Sequence, residues 1–232
     1  MKKLQSVRSA GNWLITDSGV NSAARNMAID QNSLDAMLRG LHATPIVRFF
    51  QWQKAVVTYG YLLDESRVKE WAEANGGLDT VQRPTGGGAV IHQPTDLAIS
   101  FLWPRKSGLL PDNPRDCYAE IHAMLRAGVK KYLGDSAPSL YAPGQSCETV
   151  PADGQNRFSI CFEAPVCNDV MLGDRKIIGG ALRITRQALL YQGAVQLRRT
   201  MHLEKLKSCL LSSIMDRLLR TSAPELAAAN EA

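Results

Sequence analysis

Three consecutive glycines, Gly86-Gly87-Gly88, stand between two runs of β-type residues, Val81-Gln82-Arg83 and Ala89-Val90-Ile91-His92. Three residues without a Cβ between two strands make room for backbone where a side chain would collide. The segment predicts strand, glycine loop, strand. Amides of such a loop can line a concavity that takes an anion or a carbonyl oxygen. It is neither a Walker loop, which needs Gly-Lys-Ser/Thr, nor a GxGxxG fingerprint. Arg83 and His92 bracket the glycines and make the turn a candidate site.

The surrounding pattern mixes strands and helices without regular alternation. Residues 12–17 read as a strand. Asn21 or Ser22 caps a helix with Met27, Leu34, Met37 and Leu38 on one face, stopped by Gly40. Residues 46–52 and 55–59 are β-rich and separated by Gln53-Lys54, which predicts a hairpin. Residues 64–75 form a short helix and 96–103 a strand. Asn113 caps a long helix that carries Pro114 at its first position and ends at Gly134.

Further along, residues 135–157 are loop-like and 158–163 a strand. Gly173-Asp174 joins two strands as a hairpin, and residues 187–197 form another strand. A helix over 203–220 carries Leu203, Leu206, Leu210, Ile214 and Leu218 on one stripe, and the Ala-rich tail after Pro224 is expected to fray. The expected class is α+β: a mixed, mostly antiparallel sheet of eight to ten strands with four main helices packed on it. No second boundary shows, so residues 1–232 read as a single catalytic domain, with a core of about 12–220 and a disordered tail over 222–232.

Five cysteines without a CxxC pair argue against a disulfide framework and against a zinc site, so no metal is expected. Cys117 shares a helical stripe with Ile121, Leu125 and Gly128, and Cys209 lies beside a leucine stripe; both read as packing. No apolar stretch is long enough to span a bilayer, and the basic start lacks an apolar h-region. A cytoplasmic protein without membrane contact is expected. The formal charge of +5 suits an acidic protein partner. No dense basic block interleaved with aromatics points to nucleic acid.

Cys161 lies in Ser159-Ile160-Cys161-Phe162-Glu163, opposite Phe158, Ile160 and Phe162 on a predicted strand. A buried cysteine is ordinarily a small hydrophobe. A reactive one needs its pKa lowered from about 8.5 by a nearby cation, and Lys176 and His92 are the available candidates. Lys176 opens the strand Lys176-Ile177-Ile178-Gly179-Gly180-Ala181. A functional lysine there would donate to a carbonyl or phosphate oxygen; an ordinary one would sit on a solvated edge. Gly193, inside Tyr191-Gln192-Gly193-Ala194, marks close approach of a ligand or of backbone.

These blocks together resemble the biotin/lipoate protein ligase superfamily. The resemblance is carried by Asn26-Met27-Ala28-Ile29-Asp30, by Tyr59-Gly60-Tyr61, by Arg83-Pro84-Thr85-Gly86-Gly87-Gly88-Ala89-Val90-Ile91-His92 and by the Lys176 block. Within it, Cys161-Phe162-Glu163-Ala164-Pro165, fifteen residues before Lys176, is similar to the LipM-type octanoyltransferases. The resemblance implies a catalytic domain of the ligase fold. It implies Cys161 and Lys176 as catalytic residues, and substrate binding by Arg83, Thr85, Gly86, Gly87, Gly88, His92, Gly179, Gly180, Gln192 and Gly193.

It also implies octanoyl-acyl carrier protein as donor, and a lipoyl domain such as the glycine-cleavage H protein as acceptor, without a cofactor. Three positions depart from the pattern: Gln192 for the usual His, Gln93 for Asp and Gln31 for Glu. Two other readings stay open. One is an ATP- and Mg2+-dependent lipoate–protein ligase lacking the accessory domain. The other is a non-catalytic scaffold that binds acyl carriers.

Overall fold

The structure is a computed structural model. It describes residues 5–10, 13–134, 137–142, 165–197 and 202–229, with backbone alone for 5–10, 106 and 219–229. The chain builds β1 (Gln5–Ala10), β2 (Trp13–Asn21), α1 (Ala23–Leu38), β3 (Ile46–Trp52), β4 (Val56–Tyr59), α2 (Glu65–Ala74), β5 (Asp79–Gln82), β6 (Val90–His92) and β7 (Leu97–Pro104). A 3-10 turn over Arg105–Ser107 leads to α3 (Pro114–Leu133), β8 (Ser139–Leu140), β9 (Val170–Leu172), β10 (Arg175–Ile184), β11 (Ala188–Val195) and α4 (Leu203–Ala229).

The expected α+β class is what forms. An eight-stranded sheet runs β1-β2-β3-β7-β11-β10-β9-β8, and a second sheet runs β5-β4-β6. Pairing is antiparallel except for β2 with β3 and β4 with β5. Alternation in the central strands decides what each face of the large sheet meets. Val47, Phe49, Leu97, Ile99, Phe101, Leu189, Tyr191 and Val195 point to one side, where α3 and α4 close the main core. Residues of opposite parity, among them Phe50, Trp52, Ala98, Leu102 and Leu190, point to the other side and meet α1.

Helix ends follow the sequence. Ser22 accepts the amide of Arg25, Asp64 that of Arg67, and Asn113 those of Arg115 and Asp116. Gly40 and Gly134 follow with positive φ. The β9–β10 hairpin turns on Gly173, φ 60°, as a two-residue turn requires.

Three expectations change. The runs 46–52 and 55–59 are strands but not a hairpin: β3 joins the large sheet, and β4 becomes the centre of the small one. All four β4 residues are buried, so it is covered on both faces, and it takes β5 on one edge and β6 on the other. A strand precedes the first one expected, since β1 pairs with β2. The last helix runs past Pro224 to Ala229 where a frayed tail was expected; Ala227-Ala228-Ala229 are strong helix formers. The strand expected over 158–163 lies outside the described residues.

Candidate active site

The glycine loop is built by a clamp and a close approach. The Arg83 amide donates to the Tyr59 carbonyl at 2.7 Å, and the Tyr61 amide to that of Thr85 at 3.2 Å. The Arg83 guanidinium donates to the carbonyls of Gly86 and Gly88 at 2.9 and 2.8 Å and to Thr58 Oγ1 at 2.6 Å. Arg83 therefore holds the loop from beneath. A Cβ on Gly60 would lie 2.2 Å from the Gly87 carbonyl oxygen, so loop backbone fills the space that a side chain there would need. Gly87 itself has φ 86°.

Between this loop and the large sheet lies a mostly apolar pocket. Met27 of α1, Phe50 and Trp52 of β3 and Ala98 of β7 form one wall. Gly179, Gly180 and Ala181 of β10, with Gln192 and Gly193 of β11, form another. Lys176, Arg83, Gly87 and His92 supply the polar groups. The structure thus brings together Arg83, Gly87, His92, Lys176, Gly179, Gly180, Gln192 and Gly193. Thr85 lies behind them, bonded to Gln192, and Gly86 lies on the outer side, beside Tyr61. Cys161 lies outside the described residues.

His92, in the pocket wall, is held by two neighbours. Its Nε2 meets Thr58 Oγ1 at 2.9 Å, and its ring stacks on Trp52 at 4.5 Å. Thr58 Oγ1 also accepts from the Arg83 guanidinium, so one hydroxyl links the imidazole to the residue that clamps the loop. Burial, aided by the charge of Arg83, lowers the His92 pKa to about 3. The ring is neutral at neutral pH, so it is not a cation that lowers a thiol pKa.

Lys176 is buried on β10, with its ammonium 2.8 Å from Asp169. It is not on a solvated edge. The same carboxylate accepts the Tyr118 hydroxyl at 2.6 Å and the Val166 amide at 2.7 Å. Tyr118 in turn accepts the Gly180 amide at 3.2 Å. Asn168, φ 70°, makes the turn that aims Asp169 inward. Behind Tyr118, His122 stacks at 3.9 Å and shares a 2.9 Å hydrogen bond with Tyr191. Burial, aided by the Lys176 charge, lowers the His122 pKa to about 3.

The facing glycines Gly180 and Gly193 are paired across β10 and β11. A Cβ on either would lie within 2.4 Å of the Tyr191 ring or hydroxyl, so they make room for that side chain. Their backbone alone is left for the pocket.

Gln192 belongs to a buried polar chain. It accepts from Thr85 Oγ1 at 2.8 Å and donates to Asp30 at 2.6 Å. Asp30 also accepts from Arg48 at 2.7 Å and Ser100 at 2.9 Å. Asp30, Arg48, Tyr118 and Asp169 hold the groups that line the pocket, and the sequence reading gave none of them a role. Only Asp30, inside the opening helix motif, carried any signal.

Cys117 is a free buried thiol, pushed up to about 12 by burial, and Cys209 is free. Both are packing residues, as expected. Cys167 is disulfide-bonded, although the cysteine count argued against a disulfide framework. Among the described residues no cluster of three His, Cys, Asp or Glu could hold a metal ion, and no helix is long and apolar enough to cross a membrane.

The family model of the lipoyl protein ligase A/B catalytic domain matches residues 22–222. Octanoyltransferase LipM of Lysinibacillus sphaericus is 30% identical over 80% of this chain and 66% of its own length. Octanoyltransferase LipM of Geobacillus kaustophilus is 31% identical over 80% and 65%. The chain spans about two thirds of the length of these curated relatives. Among solved structures, lipoate-protein ligase A bound with ATP superimposes with a TM-score of 0.59 at 17% identity, covering 89% of this chain and 83% of that one. A bipartite lipoate protein ligase of Thermoplasma acidophilum gives 0.55 at 16%, covering 86% and 81%. At these identities the likeness is one of fold.

Proposed function

The chain belongs to the lipoyl protein ligase A/B catalytic-domain family, and from that premise we propose that it transfers a medium-chain acyl group, octanoyl, from acyl carrier protein to a lipoyl-domain lysine. The observation that carries this reading is the pocket: an apolar cleft under the glycine loop with one buried ammonium, Lys176, in its wall. Such a cleft suits a saturated chain, and the ammonium suits the carbonyl at its head. The similarity to octanoyltransferases supports it.

In this reading Cys161 is the nucleophile. Its thiolate attacks the donor thioester carbonyl, and negative charge builds on the oxygen. The Lys176 ammonium stabilises that charge, worth about 3 kcal/mol for a well-placed donor. The carrier sulfur leaves as a thiolate and takes up the proton that the Cys161 thiol released on ionising, and the acyl group is held as a Cys161 thioester. The acceptor lysine amine then attacks that thioester, forming an amide and returning the Cys161 thiol. Neither ATP nor a metal enters the balance.

Intact-protein mass spectrometry tests this. The reduced protein is mixed with octanoyl-acyl carrier protein without ATP. The expected result is one added octanoyl mass that is absent from Cys161→Ala. Loading only with octanoate, ATP and Mg2+ would make the protein a ligase. Carrier binding without loading under either condition would make it a scaffold.

A further inference from the structure

We propose that Met27 sets the length of acyl chain the pocket accepts, with the far end of the chain resting against its side chain. The proposal rests on the acyl-transfer reading. The pocket follows β10, from Lys176 past Gly179 to Ala181. Two residues further, Arg183 lies in a second hollow, wider open and more polar, beside Tyr61, Gln31 and Gln82. Successive residues of a strand advance by about 3.3 Å, so the two hollows lie end to end along one strand.

Met27 and Arg83 line both hollows and stand between them. Arg83 is fixed there by Thr58 and by the carbonyls of Gly86 and Gly88, and it cannot move without releasing the glycine loop. Met27 is held more lightly, by one long contact to its sulfur. It is buried, and its sulfur meets Gln192 Nε2 at 3.6 Å. An unbranched thioether adapts its shape to whatever it packs against. Met27 is therefore the part of the partition that a substitution can take away.

Removing the Met27 side chain joins the hollows and lengthens the cleft. The end of a longer chain then passes toward Gln31, Gln82 and Arg183. A bulkier residue at 27 fills the end of the first hollow and shortens it. One methylene in an apolar pocket changes kcat/KM by about ten- to two-hundred-fold, so a shift of two carbons is readily measured.

The experiment compares kcat/KM for hexanoyl to tetradecanoyl groups on one carrier protein, for wild type, Met27→Ala and Met27→Phe. The optimum is expected to move at least two carbons longer in Met27→Ala and at least two shorter in Met27→Phe. Should Met27→Ala fail to fold, Met27→Phe carries the test by itself. An unchanged optimum in the folded variants overturns the proposal. A wild type that transfers no chain overturns the transfer reading instead. Fatty-acid affinities measured across the same lengths then decide about Met27, with the same shifts expected and an unchanged profile overturning it.

Discussion

The Lys176 ammonium and the Asp169 carboxylate lie 2.8 Å apart, and the two side chains are 4% and 0% exposed. At that burial neither charge is held by water, so each depends on the groups around it. Asp169 is supplied from three directions: Lys176 on β10, Tyr118 on α3 and the Val166 amide before β9. The carboxylate thereby ties β10 to the helix behind it and fixes where the ammonium sits in the pocket.

Losing either partner leaves the other charge buried without this counter-ion. Lys176→Met and Asp169→Asn are each expected to lower unfolding free energy, with a penalty of about 3–5 kcal/mol for a broken buried pair. The double variant should be more stable than the two losses added together, by about 1–3 kcal/mol of coupling. Urea denaturation of the four proteins checks this, and simple additivity would sink it. Lys176→Met should also reduce acyl transfer by about a hundred- to a thousandfold, as for loss of one oxyanion donor.

Gln192 occupies the centre of a chain with a fixed sense: the Thr85 hydroxyl donates to its oxygen, and its nitrogen donates to Asp30. An amide serves both ends at once. Gln192→Glu puts a second carboxylate against Asp30 and loses the donor, so it is expected to destabilise more than Gln192→Leu, which costs about 1–3 kcal/mol for the groups left unsatisfied. Thr85→Val keeps the shape and removes one bond, a loss of about 1 kcal/mol. Denaturant midpoints rank the three. Gln192→Glu as stable as wild type would sink this ranking.

Local chemistry made much of this legible. Ser22, Asp64 and Asn113 announce helix starts because their side chains accept the orphan amides. Gly86-Gly87-Gly88 announces a loop at a site. Pairing across the sheets was not legible. Gln53-Lys54 reads as a hairpin turn, yet β3 and β4 part into different sheets, because pairing partners come from residues far along the chain. Asp169 was hidden for a similar reason: its partners on α3 and β10 become its neighbours only once the fold exists. Gly193 was read as the close approach of a ligand or of backbone, and what approaches is a side chain, that of Tyr191 in the same strand.

His92 and His122 make the fold sensitive to acid. Both have pKa values lowered to about 3, first by burial. Between pH 6.5 and 3 the unfolded chain binds two protons that the native state does not, so stability is full above 6.5 and falls as the pH drops. Asp96 acts in the opposite sense. Burial raises it to about 6 despite hydrogen bonds from Gln93 and Gln196, so the native state binds its proton first and stability rises as pH falls from 6 toward 4. Two histidines outweigh one carboxyl: at pH 4.5 they remove about 5 kcal/mol, of which Asp96 returns about 2. Urea midpoints at pH 7.5, 6.0 and 4.5 should therefore fall steadily. His122→Phe should flatten the fall while costing stability at pH 7.5, because Tyr191 loses its 2.9 Å partner. Asp96→Asn should steepen it. A midpoint that rises as the pH falls from 7.5 to 4.5 would show that both imidazoles take up protons in the native state as readily as in the unfolded chain, and that the neutral, Thr58-bonded His92 is wrong.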